Sequence, residues 1–269
     1  MNRISRRRAL LSLGALLTVA GVATLTPSRA RATPPDPSDP EFAAYVLNRV
    51  DDLHRGRSSH ATMTMHVKTD RWERTMTMEA WSLGEDYSLV RILEPKKERG
   101  TATLKAKDDL FTYLSKTGRT IKISGASMGG SWMGSHFTND DLMKDSRMIE
   151  DFDVAVKAGP TIDGQATHAL VLTPKPKAVT VWGRIDVMVR TSDLLPVGEL
   201  FYDEDGAAVR KMEFFDYQSV GGTDVPMRMR MSPLDEDQLG EYTEMSYAKI
   251  EFDVGLDASF FSVSQLKAL

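Results

Sequence analysis

Hydrophobic and polar residues alternate with a period of two along most of the chain after His60. The segments 61–67 and 74–81, ATMTMHV and RTMTMEAW, alternate on either side of a polar turn and predict a β-hairpin. Similar alternating runs follow about every 12 residues, separated by turn pairs such as Asp205-Gly206. The pattern predicts about 13 strands, and short connections between such strands are typical of an antiparallel sheet.

Three segments follow a helical period instead. Residues 40–56, PEFAAYVLNRVDDLHRG, predict an amphipathic helix, with Asp39 as a candidate cap and Gly56 as a stop signal. Residues 138–145 and 256–266 predict two shorter helices. A sheet of this length must curl or close, because long open sheets twist and expose their edges. We therefore expect one mainly β domain over residues 41–269.

The N-terminal 40 residues do not fit this domain. Residues 1–32 combine a basic start, a short apolar run and small residues at Ala30 and Ala32, which predicts a cleaved signal peptide. Its SRRRALL core resembles a twin-arginine signal, and the alternatives are a general secretion signal and a retained N-terminal anchor. Residues 33–40, TPPDPSDP, predict a disordered proline-rich spacer. We expect the mature protein in the periplasm of a Gram-negative-type bacterium.

Charge and cysteine content exclude several kinds of function. The first 32 residues hold six of the 34 basic residues and no acid, so the remaining 237 residues carry a net charge of about −10. Such a chain is a poor candidate for binding nucleic acid over a broad surface. The chain has no cysteine, which excludes a thiol nucleophile and a thiolate metal site. No later segment is long and apolar enough to predict an integral membrane protein.

Methionine is concentrated on one face of three predicted strands. Alternation predicts that this face carries Met63, Met65, Val67, Met76, Met78, Met227, Met229 and Met231. Methionine is long, unbranched and polarisable, so it adapts to irregular apolar partners. Ordinary β cores favour stiffer residues. The pattern leaves two interpretations open: a methionine-rich core, or a partly unfilled cavity that accepts acyl chains.

One pentapeptide matches a catalytic signature. Residues 125–129, GASMG, spell G-x-S-x-G, with Ser127 as a candidate nucleophile and His168 downstream. The elbow of a serine hydrolase requires a helix directly after the serine, whereas the glycine-rich residues 129–134 predict a loop. That fold also needs a parallel sheet with long helices. The surroundings therefore favour a protein that is not an enzyme.

Metal and cofactor sites are not predicted either. The five histidines lack the spacing of known metal-ligand motifs, and the chain contains neither a phosphate-binding loop nor a dinucleotide-binding fingerprint. We expect no metal and no cofactor.

Residues 131–142, SWMGSHFTNDDL, carry a family resemblance. Together with residues 90–105, VRILEPKKERGTATLK, and 108–123, DDLFTYLSKTGRTIKI, they resemble outer-membrane lipoprotein-sorting proteins of the LolA-like superfamily. The resemblance covers essentially all of residues 41–261 and is most specific at 131–142. The best-studied carriers of this group lack the loop, and their functional arginine has no matching position here.

The resemblance implies both a fold and a function. The implied fold is a half-open β-barrel of about 11–13 strands, with two or three short helices acting as lid or plug. The implied function is a carrier that binds lipoproteins or other acylated lipids and moves them toward the outer membrane without catalysis. An inner-membrane transporter of the ABC or RND type is the implied partner. The alternatives are a non-catalytic accessory subunit of such an exporter and a serine hydrolase using Ser127.

The 131–142 loop is the predicted lid. Trp132, Met133 and Phe137 supply apolar contacts, and Thr138 or Asn139 is positioned to cap the following helix. The same aromatic residues would equally serve as a plug that fills one end of a barrel. The sequence leaves lid and plug as alternatives.

Overall fold

Thirteen β-strands form one antiparallel sheet within the residues that the structure describes. The structure is a computed structural model, and it describes residues 33–144, 148–178 and 180–268. The strands are β1 (Ser58–Lys68), β2 (Glu73–Leu83), β3 (Tyr87–Glu94), β4 (Ala102–Ala106), β5 (Asp109–Leu114), β6 (Arg119–Lys122), β7 (Phe152–Ala158), β8 (Thr167–Pro174), β9 (Arg184–Arg190), β10 (Pro196–Tyr202), β11 (Ala208–Val220), β12 (Thr223–Pro233) and β13 (Tyr242–Phe252).

Two predicted segments precede the sheet. The predicted signal peptide, residues 1–32, lies outside the described residues. Residues 33–40 form turns without helix or strand, closed by hydrogen bonds such as Ser38 N to Asp36 Oδ1 at 2.9 Å. Their assignment as a disordered spacer stays a prediction.

The strand order leaves the sheet open. Along the sheet the order is β6-β5-β4-β3-β2-β1-β13-β12-β11-β10-β9-β8-β7, so β6 and β7 are its two edges. Every sequential pair of strands is joined as a hairpin except β6 and β7, and the first and last strands pair in the middle. The prediction of a single antiparallel sheet that does not close, as in a half-barrel, is confirmed.

Alternation along each strand decides which side chains face inward. In β1 the residues alternate between buried and partly exposed, with Met63, Met65 and Val67 on the buried side. This side, here called the inner face, packs against a helix α1 (Phe42–Asp52) that buries Phe42, Val46 and Leu47. The α1 helix begins after Asp39, whose carboxylate accepts the Glu41 N–H at 2.8 Å.

Four helices occur in the described residues, where two or three were expected. After α1 come α2 (Asn139–Lys144), α3 (Met148–Asp151) and α4 (Val263–Ala268). The unpredicted helix α3 is a single turn directly before β7, too short to show a period in the sequence. The predicted helix at 138–145 corresponds to α2, and residue 145 lies outside the described residues.

The C-terminal helix lies on the other side of the sheet from α1. Phe261 and Leu266 pack against Leu89 and Leu104, which belong to the outer face of β3 and β4. Residues 256–266 therefore cover the outer face, and the expectation that every short helix acts as lid or plug is wrong for α4. The cause is local, because Trp81, Leu89 and Leu104 make the outer face of β2–β4 apolar.

Candidate functional site

Methionine side chains form a continuous row across the inner face. Cross-strand pairing puts Met229 of β12 opposite Met245 of β13, Met245 opposite Met65 of β1, and Met65 opposite Met76 of β2. A second pair, Met212 and Met231, lies beside this row on β11 and β12. Directly opposed side chains on one face are in contact range, so five neighbouring strands share one flexible apolar surface.

A cavity of about 260 Å³ lies between this surface, α1 and the loop before α2. Of the predicted face, Met63, Met229 and Met231 line it, together with Met245, Met212 and Phe214. The exposed residue Glu85 also contributes to the wall, so the cavity reaches solvent on that side. For comparison, an engineered apolar cavity of about 150 Å³ is large enough to hold benzene.

The other predicted residues are buried without lining the cavity. Met65, Val67, Met76 and Met78 are almost fully inaccessible and belong to the same apolar cluster as the cavity wall. Met227 is also buried, but it packs in a separate cluster with Val225 and Ile250. The structure thus brings three of the eight predicted residues to the cavity surface and places four beside them.

The 131–138 segment folds into a small hairpin over the cavity. Met133 and Gly134 both have positive φ angles, 51° and 71°, and the Ser135 N–H donates to the Trp132 carbonyl at 2.9 Å. Positive φ at both central residues defines a type I′ turn, which explains the glycine at position 134. The hairpin directs Trp132 and Phe137 into the cavity wall, while Met133 packs on the apolar cluster from the side.

Polar contacts attach this hairpin and α2 to separate strands of the sheet. The Trp132 Nε1–H donates to Thr103 Oγ1 on β4 at 3.1 Å, and the His136 N–H donates to Thr243 Oγ1 on β13 at 2.9 Å. Thr138 caps α2 through its hydroxyl, which accepts the Asp141 N–H at 3.2 Å. At the other end of α2, the Lys105 ammonium donates to the Met143 carbonyl at 3.0 Å.

A buried ion pair makes the strongest of these attachments. The Arg210 guanidinium on β11 donates through two nitrogens to the two carboxylate oxygens of Asp141, at 2.9 and 2.5 Å. The arginine side chain is 7% exposed and lies between the rings of Trp182 and Phe201, 4.0 and 4.2 Å from their centroids. A planar guanidinium suits this combination of bidentate pairing and stacking.

His54 contributes a neutral polar group to the cavity wall. It follows α1, stacks on Tyr247 with a centroid distance of 4.8 Å, and its Nε2 lies 2.7 Å from the Pro226 carbonyl. Its side chain lines the cavity and is partly buried. Burial therefore lowers the pKa of His54 from 6.5 to about 4, although the carbonyl contact acts in the opposite direction.

Among the described residues, the Ser127 hydroxyl is hydrogen-bonded to a serine and not to a histidine. Ser127 is exposed in a 3-10 turn over Gly125–Ser127, and its hydroxyl shares a hydrogen bond with Ser124 at 3.1 Å. His136 bonds to Thr243 and Glu241, and His168 packs edge-on against Phe42 at 5.3 Å. His168 is partly exposed on β8, with its ring against α1.

The described residues also bear on metal binding and on membrane spanning. Residues 33–144, 148–178 and 180–268 contain no group of three or more His, Asp or Glu side chains able to hold a metal ion. Over the same ranges, none of the helices has the length and apolar character needed to span a bilayer.

Sequence reasoning missed several residues of the site. Met245, Met212 and Phe214 line the cavity, but each lies on a strand with a single methionine, so no repeated pattern marks it. Arg210 shares the strand parity of Met212 and Phe214, which was an available signal that its side chain faces inward. His54 and Trp182 lie just outside regular elements, where periodicity gives no direction.

The sequence matches the model of one protein family. A family model described as "-like: Uncharacterized protein" matches residues 84–268, more than half of the chain. No curated protein matches the sequence.

Three solved structures share the fold along nearly their whole length. A DUF1329 family protein from Desulfovibrio piger is 25% identical, with a TM-score of 0.74 over 84% of this chain and 98% of its own. An outer membrane lipoprotein-sorting protein domain from Vibrio parahaemolyticus is 24% identical, with a TM-score of 0.73 over 84% and 99%. A LolA superfamily protein from Nitrosomonas europaea is 21% identical, with a TM-score of 0.69 over 83% and 98%.

These likenesses agree with the resemblance carried by residues 131–142. Since the family model covers residues 84–268 and the three structures match 83–84% of the chain, the chain belongs to the family of that model and has the fold of the LolA-like outer-membrane lipoprotein-sorting proteins.

Proposed function

We propose that this protein is a periplasmic carrier that binds the acyl chains of lipids or lipoproteins in the methionine-lined cavity and transports them toward the outer membrane. The observation that carries the proposal is the cavity itself, whose wall combines Met63, Met229, Met231 and Met245 with Trp132 and Phe137. The lipoprotein-sorting fold supports the same reading at the level of the family.

The physics of acyl binding agrees with such a wall. Each methylene removed from water gains about 0.8 kcal/mol, so an apolar cavity is what a water-borne lipid carrier requires. Ligand pockets usually measure about 300–1,000 Å³, and a cavity of about 260 Å³ offers room for part of an acyl chain. Methionine side chains can rearrange to admit more, and the 131–144 segment is the element whose displacement would widen the entrance.

The cavity proposal is tested by fluorescence quenching with a lipid brominated on its acyl chain. Trp132 and Trp182 line the cavity, whereas Trp72 is 42% exposed at the turn between β1 and β2. We expect quenching in variants that retain only Trp132 or only Trp182, the other three tryptophans being phenylalanine. The variant that retains only Trp72 is the matched control. Equal quenching in the three single-tryptophan variants would contradict the proposal, and so would the absence of quenching in the variant that retains Trp132.

A second prediction concerns the space in the cavity. Ala80 lies on the inner face of β2 and lines the cavity, so Ala80→Phe should fill part of it without displacing the sheet. Excluding two methylenes of the ligand costs about 1.6 kcal/mol, which is about 15-fold in affinity. Lipid titrations should show this loss at an unchanged melting temperature. Ala155→Phe, at an exposed position of β7, adds the same ring and should bind lipid normally.

An exporter subunit is the second candidate function, and one feature favours it. Trp72 and Leu239 are large apolar residues that are 42% and 73% exposed, on two turns joined by the hydrogen bond from Asp70 N–H to Glu241 at 2.9 Å. An inner-membrane transporter of the ABC or RND type is the partner we propose for this surface. A lipid carrier would also bind a transporter that delivers its cargo, so a transporter partner fits both functions. Only the finding that the cavity takes up no lipid would favour the accessory role over transport.

A further inference from the structure

A row of polar side chains crosses the inner face at one end of the cavity. Register pairs Ser59 of β1 with Ser82 of β2, Ser82 with Ser88 of β3, and Ser88 with Lys105 of β4. All four residues line the cavity. The adjacent row on the inner face, one step closer to the methionines, consists of Ala61, Ala80 and Val90. The side chains of the wall therefore change from hydroxyl-bearing to hydrocarbon between two neighbouring rows.

The separation of the two ends suits an amphiphile. Ser59 and Met63 are four residues apart on the same face of β1, a distance of roughly 13 Å at the usual rise of a strand. Met63 lies opposite Met78 of β2, and Met65, the next inward residue of β1, belongs to the methionine row. A molecule with one polar end and one apolar chain would therefore match the wall in a single orientation.

Hydrogen-bonding groups at the polar end remain open toward the cavity. Ser88 makes no side-chain hydrogen bond with any described residue, although its hydroxyl can both donate and accept. The Ser59 and Ser82 hydroxyls are 2.7 Å apart, and Ser82 also donates to the Arg55 carbonyl at 3.5 Å, so both hydroxyl hydrogens are used while lone pairs remain as acceptors.

The charges at this end disfavour an anion. Arg55 forms an ion pair with Asp51, and Lys105 donates to the Met143 carbonyl, so both cations of the polar end are already engaged. The carboxylate of Glu85 shares the wall with them. An anionic headgroup would meet this carboxylate while gaining no uncommitted cation of this wall among the described residues.

We propose that the Ser59–Ser82–Ser88–Lys105 row is the headgroup end of the cavity, and that it selects lipids whose polar group is an uncharged hydroxyl or ester over lipids that carry a phosphate. The inference rests on the proposed lipid-binding function and names its substrate class. Ser88 acts as the specificity-determining residue, which bonds to the uncharged group.

The test compares two ligands that differ only in phosphate: a monoacylglycerol and the same monoacylglycerol phosphorylated on its glycerol. Each displaces the apolar reporter N-phenyl-1-naphthylamine from the intact mature protein. We expect the uncharged ligand to displace the reporter at a concentration at least about 10-fold lower. Ser88→Ala should weaken binding of the uncharged ligand about 3- to 10-fold, as the loss of one hydrogen bond predicts. The preference between the two ligands then shrinks.

Ser246→Ala is the matched control, because Ser246 occupies the outer face of β13 opposite Thr64 and Arg228. It should leave both affinities as in the wild type. Equal or stronger binding of the phosphorylated ligand, or an unchanged preference in Ser88→Ala, would overturn the headgroup assignment while lipid binding stands. Failure of the reporter and of both ligands to bind would instead remove the proposed function and the inference with it.

Discussion

Replacement of Arg210 with methionine should lower the free energy of unfolding by about 3–5 kcal/mol, the range found when one partner of a buried ion pair is removed. The substitution keeps an unbranched side chain between Trp182 and Phe201 but leaves the Asp141 carboxylate, 14% exposed, without its guanidinium. It also removes the donor to the His136 carbonyl at 3.3 Å. Urea denaturation of the two proteins measures the difference.

Arg228 offers a matched control on the next strand. It also pairs with carboxylates, Asp216 and Glu244, and lies over a ring, Phe215, but it belongs to the outer face and is 30% exposed. Solvated pairs contribute only about 0–1 kcal/mol, so Arg228→Met should cost little. If the two variants lose equal free energies of unfolding, the buried Arg210 ion pair contributes no more than the exposed Arg228 pairs, and the prediction is wrong.

A double variant separates the charge from the packing. In Arg210→Met/Asp141→Leu no charge is left buried, so a large part of the lost stability should return. Recovery will be incomplete, because the Asp141 carboxylate also accepts the Thr138 N–H at 2.7 Å in the cap of α2. If the double variant is less stable than Arg210→Met, the buried-charge explanation fails.

Acidification should destabilise the protein through His54, by up to about 3 kcal/mol below pH 4. Burial lowers the pKa of His54 in the folded protein to about 4, while the unfolded chain keeps about 6.5. Between these values the unfolded state binds a proton that the folded state does not, so stability is complete above pH 6.5 and falls as the pH decreases toward 4. At pH 5 the expected loss is about 2 kcal/mol.

The measurement is the free energy of unfolding of wild type and His54→Phe at pH 7.5 and 5. Phenylalanine keeps the ring that stacks on Tyr247 and removes the titrating nitrogens. Between pH 7.5 and 5, the His54→Phe variant should lose about 2 kcal/mol less free energy of unfolding than the wild type. At pH 7.5 the variant should be the less stable of the two, because the Pro226 carbonyl loses a donor. Ser88→Ala, a change in the same wall without a titrating group, should keep the wild-type pH dependence. Identical pH dependence in wild type and His54→Phe would refute the assignment.

Strand alternation was sufficient to predict the sheet. Each of β1, β2 and β12 repeats methionine at every second position, so a single register of the backbone buries all of them, and all are buried. The S-W-M-G-S motif likewise predicted a distinctive loop, since two consecutive positive φ angles at Met133 and Gly134 are best met by a glycine in the second position. Local preferences of this kind depend only on neighbouring residues, so they can be predicted from the sequence.

The cavity could not be predicted in the same way. Which methionines line it depends on how β12 and β13 pair and on where α1 crosses the sheet, so Met229 and Met231 reach the cavity while Met227 packs with Val225. The polar row exists only because four strands bring Ser59, Ser82, Ser88 and Lys105 into register. α4 shows the same dependence, because its position on the outer face follows from an apolar patch assembled from β2, β3 and β4.

By itself the sequence determined an antiparallel β fold, a methionine-rich inner face and the family resemblance in residues 131–142. Each of these follows from periodicity or from a short contiguous motif. Only the tertiary structure decided that the inner face encloses a cavity, that Arg210 holds α2 against the sheet, and that the cavity has a polar and an apolar end. These features depend on contacts between residues 23 to 172 positions apart in the chain, such as Ser59 with Ser82 and His54 with Pro226. No local pattern along the chain encodes such contacts.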